Sequence, residues 1–469
     1  MKYLMIIPLA IALTGCSVYS NYKRPAMEYE AAEVRVGTTE ADGSTGAAAP
    51  SASGAQAEGS DTLAALATMP WRELFRDPCL QQWIEAGLKS NTDLRIAQLR
   101  TEEAAATLTA SKLAFLPSAS LSADGSVARK SASRFTVGPS ASWELDIFGK
   151  QRNLKKGAEA AFYASEAYRQ AVQTSLVATI AESYYTLLML DGQLAISERT
   201  LKTWDENIRV MQALKKAGRT NEAGVLQAQA NRMRVENNVL SLRDQIRAQE
   251  NAVRSLLLNP LFDLTRGTLT EQEFPEALSG GIPLQMLSNR PDVREAEYDL
   301  QKAFYDVNVA RSAFYPSLTL SGNLGWSTTS GSGVSSPSSF IASALGSLTA
   351  PLFSRGKLRA DLKTAKAEYE IASLNFQQKL LDAGLEVNDA LSAWQTARDR
   401  LVIDRQQIQT LQDAVRTSEL LMRNTSTTYL EVLTAQQRLL EAELTAASDR
   451  YAVLSSLITL YSSLATPTD

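Results

Sequence analysis

The chain carries the same order of motifs twice, and this duplication limits its fold more than any single motif does. Asp93 and Asp292 each lie near the start of a helical pattern, and Pro117 and Pro316 each precede a strand pattern. The members of each pair are 199 residues apart. Each half therefore runs in the order helix, two strands and one very long helical hairpin.

Composition excludes several classes of function. The 469-residue chain has a formal net charge of −4 and no histidine. The nearly balanced charge argues against a nucleic-acid partner, and the missing histidine removes the commonest general base and metal ligand. The chain has no Walker-type phosphate loop and no Gly-x-Ser-x-Gly motif. We therefore expect no catalytic site, no metal site and no cofactor, and we interpret Cys79 as a small buried thiol.

The first residues have the pattern of an export signal. Lys2 supplies the positive end, Leu4–Leu13 the short apolar core, and Leu13–Cys16 the cleavage region. The Leu-x-Gly-Cys pattern resembles the bacterial lipobox, in which the cysteine is lipidated and becomes the first mature residue. We therefore expect a covalent lipid on Cys16 that anchors the protein to a membrane. An ordinary signal peptide is the alternative.

Composition and periodicity divide the chain into segments. Residues 37–60 are rich in Gly, Ser, Ala and Thr and are predicted to be a flexible tether. The predicted segments are 1–15 (signal peptide), 16–70 (anchored segment and linker), 71–116 (first helical start), 117–148 (first β-hairpin), 149–260 (first long helical hairpin), 261–289 (connecting equatorial segment), 290–315 (second helical start), 316–354 (second β-hairpin), 355–462 (second long helical hairpin) and 463–469 (tail).

Four segments alternate apolar side chains with small polar ones. They are residues 117–127, 137–147, 318–326 and, more weakly, 340–353. About ten residues of such alternation are typical of a strand in a membrane barrel with a polar lumen. A half-buried strand of a soluble sheet has the same period, so the pattern alone leaves both interpretations open. In the barrel interpretation, Asp124, Glu144 and Asp146 face the lumen.

The helical segments repeat apolar residues at alternating spacings of three and four, which is the pattern of a coiled-coil seam. The predicted helix over residues 152–216 would be roughly 100 Å long at 1.5 Å per residue. No later segment is a convincing transmembrane helix, because the most apolar one, Leu176–Leu190, contains Glu182. Four strands cannot close a barrel, and open edges are excluded from lipid. Strands in a membrane would therefore require several chains, and three chains would supply twelve strands.

Several motifs resemble the TolC-like outer-membrane lipoproteins that work with resistance-nodulation-division pumps. The most specific are Arg290–Glu297 (Arg-Pro-Asp-Val-Arg-Glu-Ala-Glu) and Phe314–Ser317 (Phe-Tyr-Pro-Ser). Tyr22–Pro25, Trp143–Gly149 and Tyr429–Leu433 also match. The resemblance implies a mainly α-helical fold with a membrane β-barrel portion, in which long antiparallel helical hairpins form a periplasmic tunnel. It also implies a homotrimer with a twelve-strand barrel in the outer membrane of a Gram-negative bacterium, lipid around that barrel, and contacts with a periplasmic adaptor and an inner-membrane pump.

The motif over Arg290–Arg294 also has a local physical interpretation. Pro291 suits the first helical turn, and Asp292 suits the positive end of a helix. We therefore interpret Arg290, Pro291, Asp292 and Arg294 as a helix start and not as a catalytic site.

The resemblance also implies a gate at the inner periplasmic end, where acidic residues beside the hairpin turns line an aperture. The corresponding candidates here are Glu431, Arg423, Glu222 and Arg219. The chain departs from the family pattern at Thr434 and Gly224, where relatives often carry Asp. Solvated charges at helix ends are the alternative interpretation of the same residues.

The expected function is a passive outer-membrane exit channel for small toxic compounds, either drugs and detergents or metal ions. Two alternatives are a TolC-like channel for protein secretion and a periplasmic coiled-coil lipoprotein without a pore. The four alternating segments, placed symmetrically between helices, argue against the second. Copper or silver export is left open, since a passive duct need not bind its cargo.

Overall fold

The computed structural model describes residues 19, 21–25, 33–34, 69–128, 131–218, 221–273, 282–283, 287–329, 340–423 and 429–464. The chain forms two compact units. Unit 1 comprises residues 1–28, 97–169 and 292–379, and unit 2 comprises residues 29–96, 170–291 and 380–469.

The elements follow the duplicated order. In the first half they are β1 (Glu33–Val34), α1 (Trp71–Leu74), α2 (Pro78–Ser90), α3 (Thr92–Leu113), β2 (Ser118–Ala128), β3 (Ser131–Leu145), α4 (Lys150–Lys216) and α5 (Glu222–Leu256). A 3₁₀ turn (Leu269–Glu271) and β4 (Ile282–Pro283) follow. The second half contains α6 (Pro291–Ser312), β5 (Ser317–Thr329), β6 (Phe340–Thr349), α7 (Lys357–Arg423) and α8 (Tyr429–Leu464).

Unit 1 contains a four-stranded sheet with the order β2-β3-β5-β6, in which every neighbouring pair is antiparallel. The register places apolar residues opposite one another across the strands. Trp143 lies opposite Leu320, and Val137 lies opposite Trp326. Because side chains alternate between faces along a strand, one face of the sheet is apolar and the other carries mainly Ser, Thr, Asn and acidic residues. The predicted alternation is therefore confirmed.

Two glycines allow β3 and β5 to approach closely. A Cβ atom added to Gly138 would lie 1.9 Å from the carbonyl oxygen of Leu324. One added to Gly325 would lie 2.5 Å from the carbonyl oxygen of Val137. Only glycine fits such an approach, so these residues are required by the packing of the two central strands.

The main apolar core lies in unit 2, where the predicted seams of the long helices meet. Trp83 of α2 packs edge-on against Tyr184 of α4, with ring centroids 5.0 Å apart. Leu454 and Ile458 of α8 belong to the same cluster. Val235, Val239 and Leu242, which follow the spacing of three and four on α5, are buried, as coiled-coil packing requires.

Cys79 lies at the margin of this core. The side chain is half-buried and packs against the buried cluster, so it is less enclosed than the sequence prediction of a buried thiol. Burial and the neighbouring Asp77 raise the pKa of the Cys79 thiol above its ordinary value. The thiol therefore stays protonated and serves as a small packing group.

The turn between α4 and α5 has the chemistry of a helix stop followed by a helix start. Gly218 adopts a φ of 70°, and its N–H donates to the carbonyl of Lys215. Asn221 then caps α5, because its side-chain oxygen accepts a hydrogen bond from the Gly224 N–H at 3.1 Å.

None of the helices within the described residues combines the length and apolarity needed to cross a lipid bilayer.

Candidate functional site

The polar face of the sheet carries two of the three acids that were predicted to face a lumen, near opposite ends of the strands. Asp124 lies on β2 opposite Thr136, and Glu144 lies on β3 opposite Thr319. The Glu144 carboxylate also accepts a charged hydrogen bond from Lys150 at 3.0 Å. The sequence prediction did not include Lys150 as this partner. The face therefore carries acidic and hydroxyl groups, with one carboxylate compensated by a cation.

The prediction that Asp146 occupies a strand position is wrong. β3 ends at Leu145, and the Asp146 carboxylate accepts hydrogen bonds from the backbone N–H groups of Gln151 and Arg152 at 2.9 and 3.0 Å. It also pairs with the Arg152 guanidinium at 3.1 Å. Asp146 therefore satisfies N–H groups at the start of α4, which have no partner within the helix.

The candidate gate residues lie at the ends of the long helices. Glu222 is in the first turn of α5 and forms an ion pair with Lys215 of α4. Glu431 is exposed in the first turn of α8. Arg423 is the last residue of α7. Lys215 is a charged group near the first turn that the sequence prediction missed.

Some predicted positions fall outside the described part of the chain. They are the side chain of Arg423, the gate candidate Arg219 and the predicted lipidation residue Cys16. Their roles stay predictions.

The predicted helix start at Pro291 is confirmed, since α6 begins there. Arg290, the residue before it, has a further role. Its side chain is only 7% exposed, and it donates to the Ser463 carbonyl at 3.1 Å and to the Glu386 carboxylate at 2.7 Å. The guanidinium therefore joins three distant segments of the sequence within unit 2.

Two other residues of the motif lie on α6 in unit 1. The Asp292 carboxylate accepts a hydrogen bond from the Val293 N–H at 3.0 Å and pairs with Lys379 at 3.1 Å. The Arg294 guanidinium lies 6.0 Å from the centroid of the Tyr298 ring. These contacts stabilise the start of the helix, as the negative charge of Asp292 near its positive end predicts.

A pair of buried carboxyl groups lies between α7 and α8. Asp404 is 7% exposed and Asp449 is 4% exposed. Trp394, Ala397 and Leu401 precede Asp404 at spacings of three and four. Asp404 therefore occupies a seam position, where a charged residue is unusual. That break in the apolar pattern is the signal by which the sequence could have revealed it.

Comparisons with known proteins agree with this architecture. The model of the family described as "Outer membrane efflux protein" matches residues 83–257 and 282–466. The cation efflux system protein CusC of Escherichia coli O6:H1 is 27% identical over 468 residues, which cover 97% of this chain and 96% of CusC. The toluene efflux pump outer membrane protein TtgC of Pseudomonas putida is 29% identical over 480 residues, covering 97% of this chain and 93% of TtgC.

A solved structure gives the same result. The open state of the MtrE outer membrane channel of Neisseria gonorrhoeae superimposes with a TM-score of 0.81 at 26% identity, over 97% of this chain and 100% of that one. The predicted fold class, outer-membrane location and efflux function are confirmed. With the family model matching both halves of the duplication, the chain belongs to the outer membrane efflux protein family.

Proposed function

We propose that this protein is the exit duct of a tripartite efflux system and works as a homotrimer. The single observation that carries the proposal is the two-faced sheet of unit 1. Leu121, Leu324 and Trp326 are all exposed in the single chain, at 78%, 52% and 46%. A sheet with one exposed apolar face and one polar face is typical of membrane strands, which contact lipid on one side and water on the other.

The edges of the sheet support the trimer. In the described part of the chain, β2 and β6 each pair on one side only. Unpaired strand edges are not tolerated in lipid, so each edge needs a strand from another copy. Three copies supply twelve strands, which is enough to close a barrel.

Exposed apolar side chains on α7 also support contact between copies. Within unit 1, Ile371 and Leu374 are 56% and 59% exposed, and within unit 2, Leu381 and Leu385 are 44% and 53% exposed. The members of each pair are three or four residues apart and therefore share one side of the helix. Contiguous exposed apolar side chains of this kind mark protein contact surfaces.

The cargo in this proposal is a small toxic compound that an inner-membrane resistance-nodulation-division pump delivers through a periplasmic adaptor. The names of the relatives, a cation efflux protein and a toluene efflux protein, indicate that such ducts serve chemically different compounds. Selection of cargo then belongs to the pump. The lipid on Cys16 holds the chain at the outer membrane.

A gate at the helix ends completes the proposal. Glu431 and Arg423 of the second hairpin, with Glu222 and Arg219 of the first, form the polar constriction. Lys215 belongs to the same set, because it pairs with Glu222. Charged side chains at a narrow aperture set both its width and its ion preference.

A crosslinking experiment tests the trimer. In a Cys79→Ser background, Ser120→Cys on β2 and Ser343→Cys on β6 place one thiol on each edge strand. A bifunctional thiol reagent should give bands at two and three times the mass of the chain. The control pair, Ser140→Cys with Asn323→Cys, joins register partners of the same chain and should leave only the single-chain mass. Single-chain bands from both pairs would contradict the trimer.

A susceptibility experiment tests the transport function. Deleting the gene should increase sensitivity to at least one member of a panel of drugs, bile acids, organic solvents, copper and silver, and the intact gene should restore resistance. Unchanged sensitivity to the whole panel would count against efflux.

A further inference from the structure

A cavity in unit 1, between α6 and α7, has the features of a ligand site that the duct does not require. Its volume is about 350 Å³. That volume lies within the range of about 300–1,000 Å³ that is typical of small-molecule sites. Residues 304–311 of α6 and 366–373 of α7 contribute its lining.

The lining includes a buried amide without a partner. Asn308 of α6 is 1% exposed, and neither its side-chain nitrogen nor its side-chain oxygen has a hydrogen-bond partner among the described residues. Leaving a buried amide unpaired costs free energy, so an orphan of this kind in a native structure calls for an explanation. A ligand that both accepts and donates hydrogen bonds would satisfy it.

The cavity also carries charges of both signs. Arg311 of α6 and Lys366 of α7 are exposed cations, and Glu370 of α7 is an exposed carboxylate. The side chain of Ser373 adds a hydroxyl group to the lining. Two cations suit a phosphate group, and one carboxylate suits an ammonium group. The lining therefore matches a zwitterion that carries both.

One wall of the cavity is aromatic, and neighbouring rings hold it in place. The Phe304 ring packs edge-on against Tyr369, with centroids 6.1 Å apart, and against Tyr22, with centroids 5.7 Å apart. Such a wall offers an apolar surface to the glycerol end of a lipid head group, next to the charged side chains.

The cavity lies close to the sheet along the chain. Arg311 is in the last turn of α6, which ends at Ser312, and β5 begins at Ser317. If β5 enters the outer membrane, this end of α6 lies at the level of the lipid head groups on the periplasmic side. Basic pockets at that level bind lipid head groups.

We propose that the cavity formed by Asn308, Arg311, Lys366 and Glu370 binds the phosphoethanolamine head group of a phospholipid in the periplasmic leaflet. The inference rests on the proposed function, because that function places the sheet in the outer membrane. The phosphate lies between Arg311 and Lys366 and accepts a hydrogen bond from the Asn308 side-chain nitrogen. The ammonium group lies at Glu370 and donates to the Asn308 side-chain oxygen.

Native mass spectrometry of the full-length, detergent-solubilised protein tests the site. Phosphatidylethanolamine, phosphatidylglycerol and free phosphoethanolamine are added separately to the wild type and to variants. The wild type should retain phosphatidylethanolamine more strongly than phosphatidylglycerol, and Arg311→Gln with Lys366→Gln should weaken retention by about tenfold. Glu370→Gln should remove the preference between the two lipids. Lys363→Gln, which changes an exposed cation of α7 outside the cavity, is the matched control and should bind as the wild type does.

The three ligands distinguish the sources of the head group. Retention of the lipid without retention of free phosphoethanolamine supports a membrane lipid, whereas binding of free phosphoethanolamine alone overturns the lipid assignment. Equal lipid retention by the wild type, the double variant and the control also overturns it. Channel conductance is measured on the same preparation. If the wild type conducts ions but shows no selective lipid retention, only the lipid site is contradicted. If the wild type does not conduct ions, the proposed function itself is contradicted.

Discussion

Asp404 of α7 and Asp449 of α8 are both buried and lie within hydrogen-bonding reach of each other. Burial and the negative charge of Asp449 raise the pKa of Asp404 above its ordinary value, and Arg400 opposes the shift. Arg400 itself pairs with Asp449 at 3.0 Å. Two carboxyl groups in contact cannot both ionise cheaply, so the contact between α7 and α8 favours a proton on Asp404.

The first prediction concerns the pH dependence of stability. Because the pKa of Asp404 is raised in the folded state, the folded chain keeps a proton that the unfolded chain has lost, and stability falls as pH rises above about 4. Asp404→Asn keeps this position neutral at every pH. Its unfolding temperature should therefore exceed that of the wild type by a margin that grows as the pH rises from acidic to neutral values.

Thermal unfolding of the detergent-solubilised protein measures this margin. Asp399→Asn, which changes an exposed acid on the same helix, is the control and should follow the wild type across the pH range. A constant difference between Asp404→Asn and the wild type at all pH values would contradict a proton shared by the two buried carboxyl groups.

The second prediction concerns Arg290. Replacing it with Ala leaves the Glu386 carboxylate and the Ser463 carbonyl without their donor. The free energy of unfolding should fall by about 3 kcal/mol. This is near the lower end for breaking a buried ion pair, because the Glu386 side chain is half-exposed. Arg290→Lys should recover part of this lost stability. An ammonium group can donate to one partner, but it lacks the planar set of donors by which a guanidinium contacts both.

Urea unfolding gives the change in free energy. The control is Arg247→Ala, which removes an exposed pair with Asp244 and should cost less than about 1 kcal/mol. Equal effects of the Arg290 and Arg247 substitutions would show that the buried position of Arg290 is unimportant.

The third prediction concerns the close approach of β3 and β5. Gly138→Ala should push the strands apart, because its Cβ would lie 1.9 Å from the Leu324 carbonyl oxygen and 2.4 Å from the Gly325 Cα atom. Overpacking of this kind costs about 1–3 kcal/mol or more. The yield of assembled protein after purification should fall.

Gly322→Ala provides the matched control on β5, since its Cβ would lie 3.6 Å from the Ser343 carbonyl oxygen, an ordinary contact. Size-exclusion chromatography measures the assembled fraction of each variant. A Gly138→Ala protein that assembles as well as Gly322→Ala would show that the two strands do not need the glycine.

Local periodicity made most of the architecture predictable. The spacing of apolar residues predicted the helical seams and the two faces of the sheet, because consecutive residues record which side of an element is buried. Alternation does not show where a hydrogen-bonded ladder stops, which is why Asp146 was assigned to a strand although it satisfies the start of α4. Contacts between distant segments were also inaccessible. Arg450, for example, donates to the carbonyls of Leu269, Thr270 and Gln272, which lie about 180 residues earlier.

The fourth prediction concerns the gate. Glu431 is exposed in the first turn of α8, and α7 ends at Arg423. If these side chains narrow the aperture, replacing both with Ala should widen it and raise single-channel conductance in planar bilayers. Glu222→Ala should free Lys215 from its ion pair and shift ion preference toward anions, because an uncompensated cation remains at the turn.

The control for the gate is Glu441→Ala, an exposed acid ten residues further along α8 and therefore about 15 Å away along the helix. The Glu441 substitution removes a carboxylate from α8, as Glu431→Ala does, but it leaves the helix ends intact. Higher conductance in the Glu431 and Arg423 variant than in Glu441→Ala assigns the constriction to the hairpin turns. Equal conductance in both would mean that the charges at the helix ends are merely solvated and that the narrowest part of the duct lies elsewhere.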